Sequence, residues 1–243
     1  MGLSDENVPI NTSLKIAVIG VGNIGKWHLE AMLKLNRDAV FYLVDPFLEG
    51  VLSYVDSLRN NEGHVGKEFI ALSSVEHLPE NIDFSVIATN SGQRLEALKN
   101  LIQHCHVQYI LLEKFLFPEL VQYDQAESIL KPSNIQGTYV NCNRRIWNDY
   151  RKLRVVFRHN APLEISVWGG NWNMASNAIH FIDLLNFFTD DIEMDIDVSN
   201  IRDMYESKRV GYVNFGGTIS ITTSSGHRLT MHSLPEYENG IHH

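Results

Sequence analysis

The stretch KIAVIGVGNIGKWH, from Lys15 to His28, is a short apolar run that leads into three glycines. The run is continuous, rich in β-branched residues and closed by a glycine, which predicts a buried parallel strand. The next segment, from Gly25 to about Leu35, has apolar residues at helical spacing. A GxGxxG pattern thus stands at a strand-to-helix turn. This is typical of dinucleotide phosphate loops, although many tight turns without a nucleotide also use glycine.

An acidic residue at the expected distance strengthens the nucleotide interpretation. Asp45 follows the second predicted strand and stands 20 residues beyond the last glycine. The glycines would give the sharp turn, the close approach of a pyrophosphate and the helix packing, while the helix N-terminus binds the phosphates. A carboxylate at this position binds the adenosine ribose hydroxyls and repels a 2′-phosphate, so NAD is favoured over NADP. The predicted cofactor residues of this stretch are Gly20, Gly22, Asn23, Ile24, Gly25 and Asp45.

Strands and helices alternate at βαβ spacing over residues 13–143, which predicts an α/β domain with a Rossmann-type, doubly wound parallel sheet. Residues 144–243 show another pattern, in which one apolar helix precedes strand-like segments with short turns between them. Short turns between strands predict antiparallel pairing, and hence a smaller α+β domain. The helix is predicted at 177–188, the later strands at 210–214, 218–223 and 228–232, and their turns at Gly216-Gly217 and 224–226.

The composition of the 243-residue chain excludes several classes of protein. A formal net charge of −9 argues against a general nucleic-acid binder, which would carry a basic stripe. Cys105 and Cys142 form no CxxC motif, and His104 and His106 beside Cys105 lack a further ligand, so neither a disulfide framework nor a metal site is expected. The polar N-terminus does not resemble a signal peptide, and no apolar run has membrane-spanning length. These features predict a cytoplasmic protein with reduced thiols and no membrane partner.

Four stretches of the chain resemble the glucose-fructose oxidoreductase/inositol dehydrogenase (Gfo/Idh/MocA) family. They are GVGNIGKWH at 20–28, VIATNSGQR at 86–94, LLEKF at 111–115 and GGNWNMASNAIHFIDLL at 169–185. The resemblance implies a Rossmann domain followed by a domain with an open, mostly antiparallel sheet, through which a homodimer or homotetramer is expected to form. It also implies reversible hydride transfer between a nicotinamide cofactor and a carbinol carbon of a sugar, polyol or sugar nucleotide. The chain is short for this family, so either it is a minimal member or part of the second domain is missing from the sequence.

The same resemblance identifies candidate catalytic residues. Lys114 follows a predicted buried strand, where the carboxyl end of a sheet meets the ligand crevice, and it matches the family's catalytic lysine. His180 matches the active-site histidine and is expected to accept or relay the substrate proton, although a histidine in such an apolar helix can also be a satisfied core residue. Glu113 is expected to orient Lys114 or to contact the cofactor. The loop that borders the nicotinamide half would supply Thr89, Asn90 and Arg94.

Two positions depart from the family's pattern. Ser176 stands where the family often has aspartate, four residues before the histidine, and a serine cannot act as a carboxylate base. Ser176 and Asn177 are expected either to hydrogen-bond a substrate or to cap the helix. Phe115 replaces the family's proline. A cis peptide bond before phenylalanine costs about 2.5–4 kcal/mol, so a trans bond or a strained exception is expected there.

Further substrate-binding candidates lie in the second predicted domain, on the predicted helix or before it in the sequence. Asp183 shares a helix side with His180 and is expected to fix the imidazole, to bind a substrate hydroxyl or to be structural. Arg144, with its neighbour Arg145, is expected to bind the cofactor or an anionic substrate group, or to form a salt bridge. Trp172 is expected to contribute to a sugar-stacking wall or to pack in the core.

The sequence leaves three functions open. The first is an NAD-dependent oxidoreductase that acts on a sugar-like substrate. The second is a non-catalytic dinucleotide-binding protein of the same fold, such as a sensor or a subunit, which the changes at Ser176 and Phe115 favour. The third is a reductase of C=N or C=C bonds, since relatives of this fold also carry out those reactions.

Overall fold

The computed structural model describes residues 13–157, 161–207, 211–234 and 241–242. The polar N-terminal lead and the first residue of the predicted strand 210–214 lie outside the described residues. The chain divides into two compact units, of which the first ends at Asn141 and the second begins at Cys142. Among the described residues, every helix is too short or too polar to cross a membrane.

The first unit is a parallel sheet of six strands with helices between them, in the order β3-β2-β1-β4-β5-β6. The predicted doubly wound α/β fold is therefore confirmed. The strand order reverses between β1 and β4, and in such sheets ligands bind outside the carboxyl ends of the strands at this point. The elements are β1 (Leu14–Ile19), α1 (Asn23–Met32), β2 (Ala39–Val44), α2 (Leu48–Arg59), β3 (Lys67–Leu72), β4 (Asn81–Ile87), α3 (Ser91–His104), β5 (His106–Leu112), α4 (Leu120–Leu130) and β6 (Gly137–Val140).

The apolar run of β1 explains why helices cover both faces of this sheet. Successive strand residues point to opposite faces. Ile16 and Val18 pack in one cluster with residues of α1 and α2, whereas Ala17 and Ile19 pack in another with residues of α3. Burying a side chain such as isoleucine or valine stabilises the fold by about 1.5–3 kcal/mol, so a strand with four consecutive buried apolar residues, 16–19, is stable only between two helical layers.

The second unit is a five-stranded mixed sheet, in the order β11-β7-β10-β9-β8, packed against one long helix. Strands β7 and β10 are parallel and the other neighbouring pairs are antiparallel, so the predicted, mostly antiparallel sheet is confirmed. The elements are a 3₁₀ turn (Asn143–Ile146), α5 (Asn148–Phe157), β7 (Glu164–Gly169), α6 (Met174–Thr189), β8 (Met194–Glu206), β9 (Val213–Thr223), β10 (Arg228–Ser233) and β11 (Ile241–His242).

The predicted turn at Gly216-Gly217 is wrong, because both glycines lie inside the single strand β9. Gly217 has a φ of +95°, and a Cβ atom there would overlap the carbonyl oxygen of Asn200 on β8. The pairing register between β8 and β9 shifts close to this point, between Asp197 and Asn200. Glycine in a strand often marks such a β-bulge or a close backbone approach, and this is its role here.

Candidate functional site

The three glycines of the GxGxxG pattern have different surroundings at the end of β1. Gly20 has a φ of +88°, and a Cβ atom there would lie 2.8 Å from the backbone nitrogen of Thr89. At Gly25, a Cβ atom would overlap the carbonyl oxygen of Gly20 and lie 3.4 Å from Cγ1 of Val18. At Gly22 it would meet no atom within 4 Å. Gly20 and Gly25 are thus required by the protein's own packing, whereas Gly22 borders open space.

The open space at Gly22 lies at the N-terminus of α1. Gly22 is the N-cap residue and makes no side-chain cap hydrogen bond, and the first turn carries no acidic residue. The first N–H groups of a helix, here those of Asn23 and Ile24, have no partner within the helix, and the helix dipole favours negative charge beside them. A phosphate group would fill this position without displacing a side chain, so the residues present fit a dinucleotide.

Asp45 joins the glycine loop to the segment after β2. Its Oδ2 atom accepts a hydrogen bond from the backbone nitrogen of Val21 at 2.9 Å, and its Oδ1 atom accepts one from that of Phe47 at 3.0 Å. A carboxylate has about four lone-pair sites, so these two bonds orient Asp45 and leave it able to accept hydrogen bonds from a pair of hydroxyls.

A cleft of about 690 Å³ lies in front of these groups, within the size range of ligand pockets. Five of the predicted cofactor residues line the cleft. The remaining ones do not line it, namely Asn23, Ile24, Gly25, Arg94, Glu113 and Lys114. Among the described residues, the charged side chains that line the cleft are Asp45, Glu76 and Glu96. Their negative charge disfavours a further phosphate group on the ribose, such as the 2′-phosphate of NADP. The predicted residues that line the cleft are Gly20, Gly22, Asp45, Thr89 and Asn90.

Glu113 is a buried carboxylate directly after β5, only 7% exposed. Its Oε1 atom lies 2.6 Å from Nε2 of His28 on α1 and accepts a hydrogen bond from Nδ2 of Asn141 at 2.6 Å. Its Oε2 atom accepts a hydrogen bond from the backbone nitrogen of Lys114 at 3.2 Å. Burial by itself would raise the pKa of Glu113, but the hydrogen bonds and charge of His28, the Asn141 amide and the Lys114 N–H outweigh it and hold the pKa below its usual value. Glu113 is therefore ionised at neutral pH.

The sequence pointed to Glu113 and, through the stretch GVGNIGKWH, to His28 three residues after Gly25, but not to their contact. Asn141, which follows β6 at the carboxyl edge of the sheet, was missed. Its position at a strand end is the signal that would have identified it. His28 and Glu113 are 85 residues apart, so only the strand order brings them together.

Lys114 is half-buried, and the peptide bond between Lys114 and Phe115 is cis. The sequence left open a trans bond or a strained exception at this position, and the expected trans bond is wrong. The next carbonyl groups of this loop are held by a residue of α3. Arg94 donates hydrogen bonds from its guanidinium group to the carbonyl oxygens of Phe115 and Thr89, and to that of Leu116 at 3.0 Å.

In the second unit, the candidate residues lie on α6 and on the loop before it. His180 and Ser176 are half-buried on the helix. Asn177 donates a hydrogen bond from Nδ2 to the carbonyl oxygen of Trp172 at 2.8 Å, and Ser176 donates from Oγ to that of Asn173 at 3.3 Å. The helix begins at Met174, so Ser176 and Asn177 lie within its first turn and neither is its N-cap.

Trp172 belongs to the core of the second unit, which is the second of the two roles expected for it. It is 4% exposed, its ring packs edge-on against Phe181, and its Nε1 atom donates to the carbonyl oxygen of His232 at 2.9 Å. A ring enclosed in this way has no face left for a sugar. Trp168, in contrast, is 53% exposed, on the opposite side of β7 from the buried Val167.

Arg145 forms an ion pair with Asp183. Its Nε atom donates to Oδ2 of Asp183 at 2.9 Å and its second terminal nitrogen donates to Oδ1, which makes a two-pronged ion pair. The hydrogen bonds to Asp183 raise the pKa of the Arg145 guanidinium, although burial opposes this shift. Arg144 has a different environment, since its guanidinium lies 4.2 Å from the centre of the Phe181 ring. The geometry therefore favours the structural alternative for Asp183.

Replacing Asp183 with asparagine is expected to destabilise the protein by about 1–3 kcal/mol, because hydrogen bonds to charged groups contribute about that much. One carboxylate oxygen becomes an N–H₂ group that faces the donors of Arg145. The midpoint of chemical unfolding, followed by circular dichroism, measures the loss. Glu127→Gln is the matched control, since its ion pair with Lys131 is exposed at the surface and contributes little. An equal effect of the two substitutions would contradict the structural role of Asp183.

The described residues contain no candidate metal centre. Among them, no three histidine, cysteine, aspartate or glutamate side chains form a group that could hold a metal ion. Cys105 and Cys142 are both buried and form no disulfide.

No protein-family model and no curated protein sequence matches this chain. Several solved structures do. The myo-inositol dehydrogenase from Lactobacillus casei in complex with NAD(H) and myo-inositol is 19% identical with a TM-score of 0.70, over 95% of this chain and 70% of that one. GenD2 from gentamicin A biosynthesis, in complex with NAD, is 13% identical with a TM-score of 0.71, over 99% of this chain and 71% of that one.

A third similar structure is named as a super-repressor mutant and not as an enzyme. A super-repressor mutant of Gal80p from Saccharomyces cerevisiae is 13% identical with a TM-score of 0.72, over 95% of this chain and 70% of that one. At identities this low, all three likenesses show the fold alone. The fold is thus one that dehydrogenases crystallised with NAD(H) share with Gal80p.

Proposed function

We propose that this protein is an NAD-dependent oxidoreductase that transfers a hydride to or from a carbinol carbon of a sugar, polyol or sugar nucleotide. The observation that carries the proposal is the pairing of an uncapped helix N-terminus at Gly22 with Asp45 oriented by two backbone N–H groups. The first binds phosphate and the second binds ribose hydroxyls. The structures of similar fold with bound NAD(H) support the same cofactor.

Each unit contributes to the proposed chemistry. Residues 13–143 form the cofactor domain, in which Gly20, Gly22 and Asp45 bind the dinucleotide. When bound, the nicotinamide supplies the hydride acceptor or donor. We propose Lys114, at the carboxyl edge of the first unit's sheet, as the residue that binds the substrate hydroxyl, and His180 as a proton acceptor or relay. Residues 144–243 form the substrate domain.

We also propose that the protein forms a homo-oligomer through the face of the second sheet that α6 does not cover. Along β10, Leu229 and Met231 are buried in the cluster that contains α6. His232, also on β10, is directly opposite Trp168 of β7, and its Nδ1 atom lies 2.9 Å from Oγ1 of Thr218. An exposed tryptophan beside such a hydrogen-bonded pair is the kind of surface that protein interfaces use.

The non-catalytic alternative rests on one position and one comparison. Ser176 lacks the carboxylate that a proton relay would use, and the fold is shared with Gal80p, whose mutant is named as a super-repressor. A protein of this class would bind the dinucleotide without turning over any substrate. Dinucleotide binding is therefore measured first, and turnover with a panel of polyols, sugars and sugar nucleotides second.

NADH is expected to bind with a Kd at least about tenfold lower than NADPH, a difference of about 1.4 kcal/mol. The acidic lining of the cleft and the carboxylate of Asp45 repel a 2′-phosphate. Nicotinamide fluorescence, titrated with each cofactor in turn, measures both constants. Absence of saturable binding by either cofactor would overturn the proposed function.

Replacing Asp45 with asparagine is expected to weaken NADH binding by about tenfold and to leave NADPH binding unchanged or improved. Hydrogen bonds to a charged group contribute about 1.5–3 kcal/mol, and the substitution removes both this charge and its repulsion of a phosphate. The same titration measures the ratio of the two Kd values. Asp56→Asn, at an exposed position of α2, is the matched control. A ratio that stays as in the wild type would contradict the assignment of Asp45.

A further inference from the structure

Arg94 is one of the most deeply buried charged side chains of the first unit. It lies in the first turns of α3, is 3% exposed, and donates hydrogen bonds to three backbone carbonyl groups. One of these belongs to Thr89, in the loop after β4, and two belong to Phe115 and Leu116, in the loop after β5. A single guanidinium group therefore ties together two loops at the carboxyl edge of the sheet.

The other end of the second loop is held by a different set of contacts. Glu113 precedes Lys114 and is bound by His28 from α1 and by Asn141 from the end of β6. Its Oε2 atom in turn accepts the backbone N–H of Lys114. The loop that carries Lys114 is thus fixed on one side through Glu113 and on the other side by Arg94.

We propose that Arg94 and His28 are positioning residues, which fix the loop of Lys114 before any cofactor binds. This differs from the cofactor-binding role expected for Arg94 on the sequence, because its donor groups face the protein's own carbonyl oxygens. The inference rests on the proposed function only in giving Lys114 a chemical role. The holding of the loop is a property of the protein without cofactor and can be tested without it.

The chemistry of arginine explains why this position suits a guanidinium group. A buried charge is stable only when its donors are satisfied, and a planar group with five N–H donors can reach carbonyl groups of two separate loops. The ammonium group of lysine is a compact point charge with a different donor geometry. An Arg94→Lys substitution therefore keeps the charge but is expected to release at least one of the two loops.

Hydrogen exchange in the cofactor-free protein tests the holding of the loop. In the Arg94→Lys variant, the backbone amides of residues 114–117 are expected to exchange at least about tenfold faster than in the wild type. Arg59→Lys is the matched control, because Arg59 also donates to a backbone carbonyl, that of Phe69 at 2.6 Å, at a distant strand. Exchange of residues 114–117 within twofold of the wild type in a folded Arg94→Lys protein would overturn the proposal.

A conservative pair of variants tests the second contact. Glutamine at position 28 can still donate to Glu113, whereas alanine cannot. His28→Ala is expected to speed the exchange of the Lys114 amide, and His28→Gln is expected to restore it towards the wild-type rate. Equal exchange in both variants would overturn the role of His28, since a merely space-filling residue would not be rescued by a hydrogen-bond donor.

The titration with NADH separates this inference from the proposed function. Arg94→Lys is expected to change the Kd for NADH by less than about threefold while it lowers kcat, because Arg94 acts through Lys114. A Kd at least tenfold higher with unchanged loop exchange would make Arg94 a cofactor contact and overturn the proposal. Failure of the wild type to bind NADH would overturn the proposed function alone, since loop exchange is measured without cofactor.

Discussion

Replacing Lys114 with alanine is expected to lower kcat by about 10²- to 10⁴-fold, the contribution typical of a positioned proton-transfer group. The Kd for NADH is expected to change by less than about threefold. The phosphate and ribose groups of the cofactor are assigned to Gly22 and Asp45, whereas Lys114 is assigned to the substrate hydroxyl. Steady-state turnover of the best substrate in the panel gives kcat, and nicotinamide fluorescence gives Kd.

A second lysine of the same unit provides the control for this substitution. Lys131 ends α4 and pairs with Glu127 at 2.9 Å, where both side chains are largely exposed. Surface ion pairs contribute about 0–1 kcal/mol, so Lys131→Ala is expected to keep full turnover and NADH binding. Full turnover by the Lys114→Ala enzyme would remove Lys114 from the catalytic machinery.

The Lys114 experiment also separates the two classes of function that the fold allows. If the protein is an enzyme, the Lys114→Ala substitution lowers turnover while NADH binding stays unchanged. A non-catalytic dinucleotide-binding protein would bind NADH in both forms and show no turnover in either. Because the likeness to solved structures shows the fold alone, this contrast depends on the side chains of this chain and not on its relatives.

The fold was predictable where a local pattern determined the structure. The apolar runs of β1 and β2 are buried on both faces, and their alternation with helices permits only a layered α/β arrangement. The prediction failed at Gly216-Gly217, because a glycine inside a strand and a glycine in a turn look alike in sequence. Which one occurs depends on the carbonyl of Asn200, on a neighbouring strand that the pattern did not reveal.

The site was predictable to the same extent. Gly20, Gly25 and Lys114 owe their positions to the ends of β1 and β5, which their own neighbours in sequence determine. The partners of Asp183 and Arg94 were not predictable, because Arg145 lies 38 residues from Asp183 and Leu116 lies 22 residues from Arg94. Such pairs form only once helices and loops have packed, so the residue types were visible in the sequence while their contacts were not.

Replacing Gly25 with alanine is expected to destabilise the first unit by about 3 kcal/mol and to abolish detectable NADH binding. The new Cβ atom would overlap the carbonyl oxygen of Gly20, which is backbone and cannot rotate away, so α1 must shift from β1. Overpacking of this kind costs about 1–3 kcal/mol or more. The melting temperature should fall by about 6–12 °C, given about 2–4 °C per kcal/mol for a chain of this size.

Gly22→Ala is the matched variant, and it separates packing from cofactor binding. Its Cβ atom would meet no protein atom within 4 Å, and its φ of −72° suits any residue, so the melting temperature is expected to stay within about 2 °C of the wild type. The methyl group would instead enter the space assigned to the pyrophosphate and raise the Kd for NADH by about 10- to 100-fold, or about 1.4–2.8 kcal/mol. Unchanged NADH binding by a stable Gly22→Ala protein would contradict that assignment. Equal losses of stability in the two variants would show instead that both glycines serve only the packing of α1 on β1.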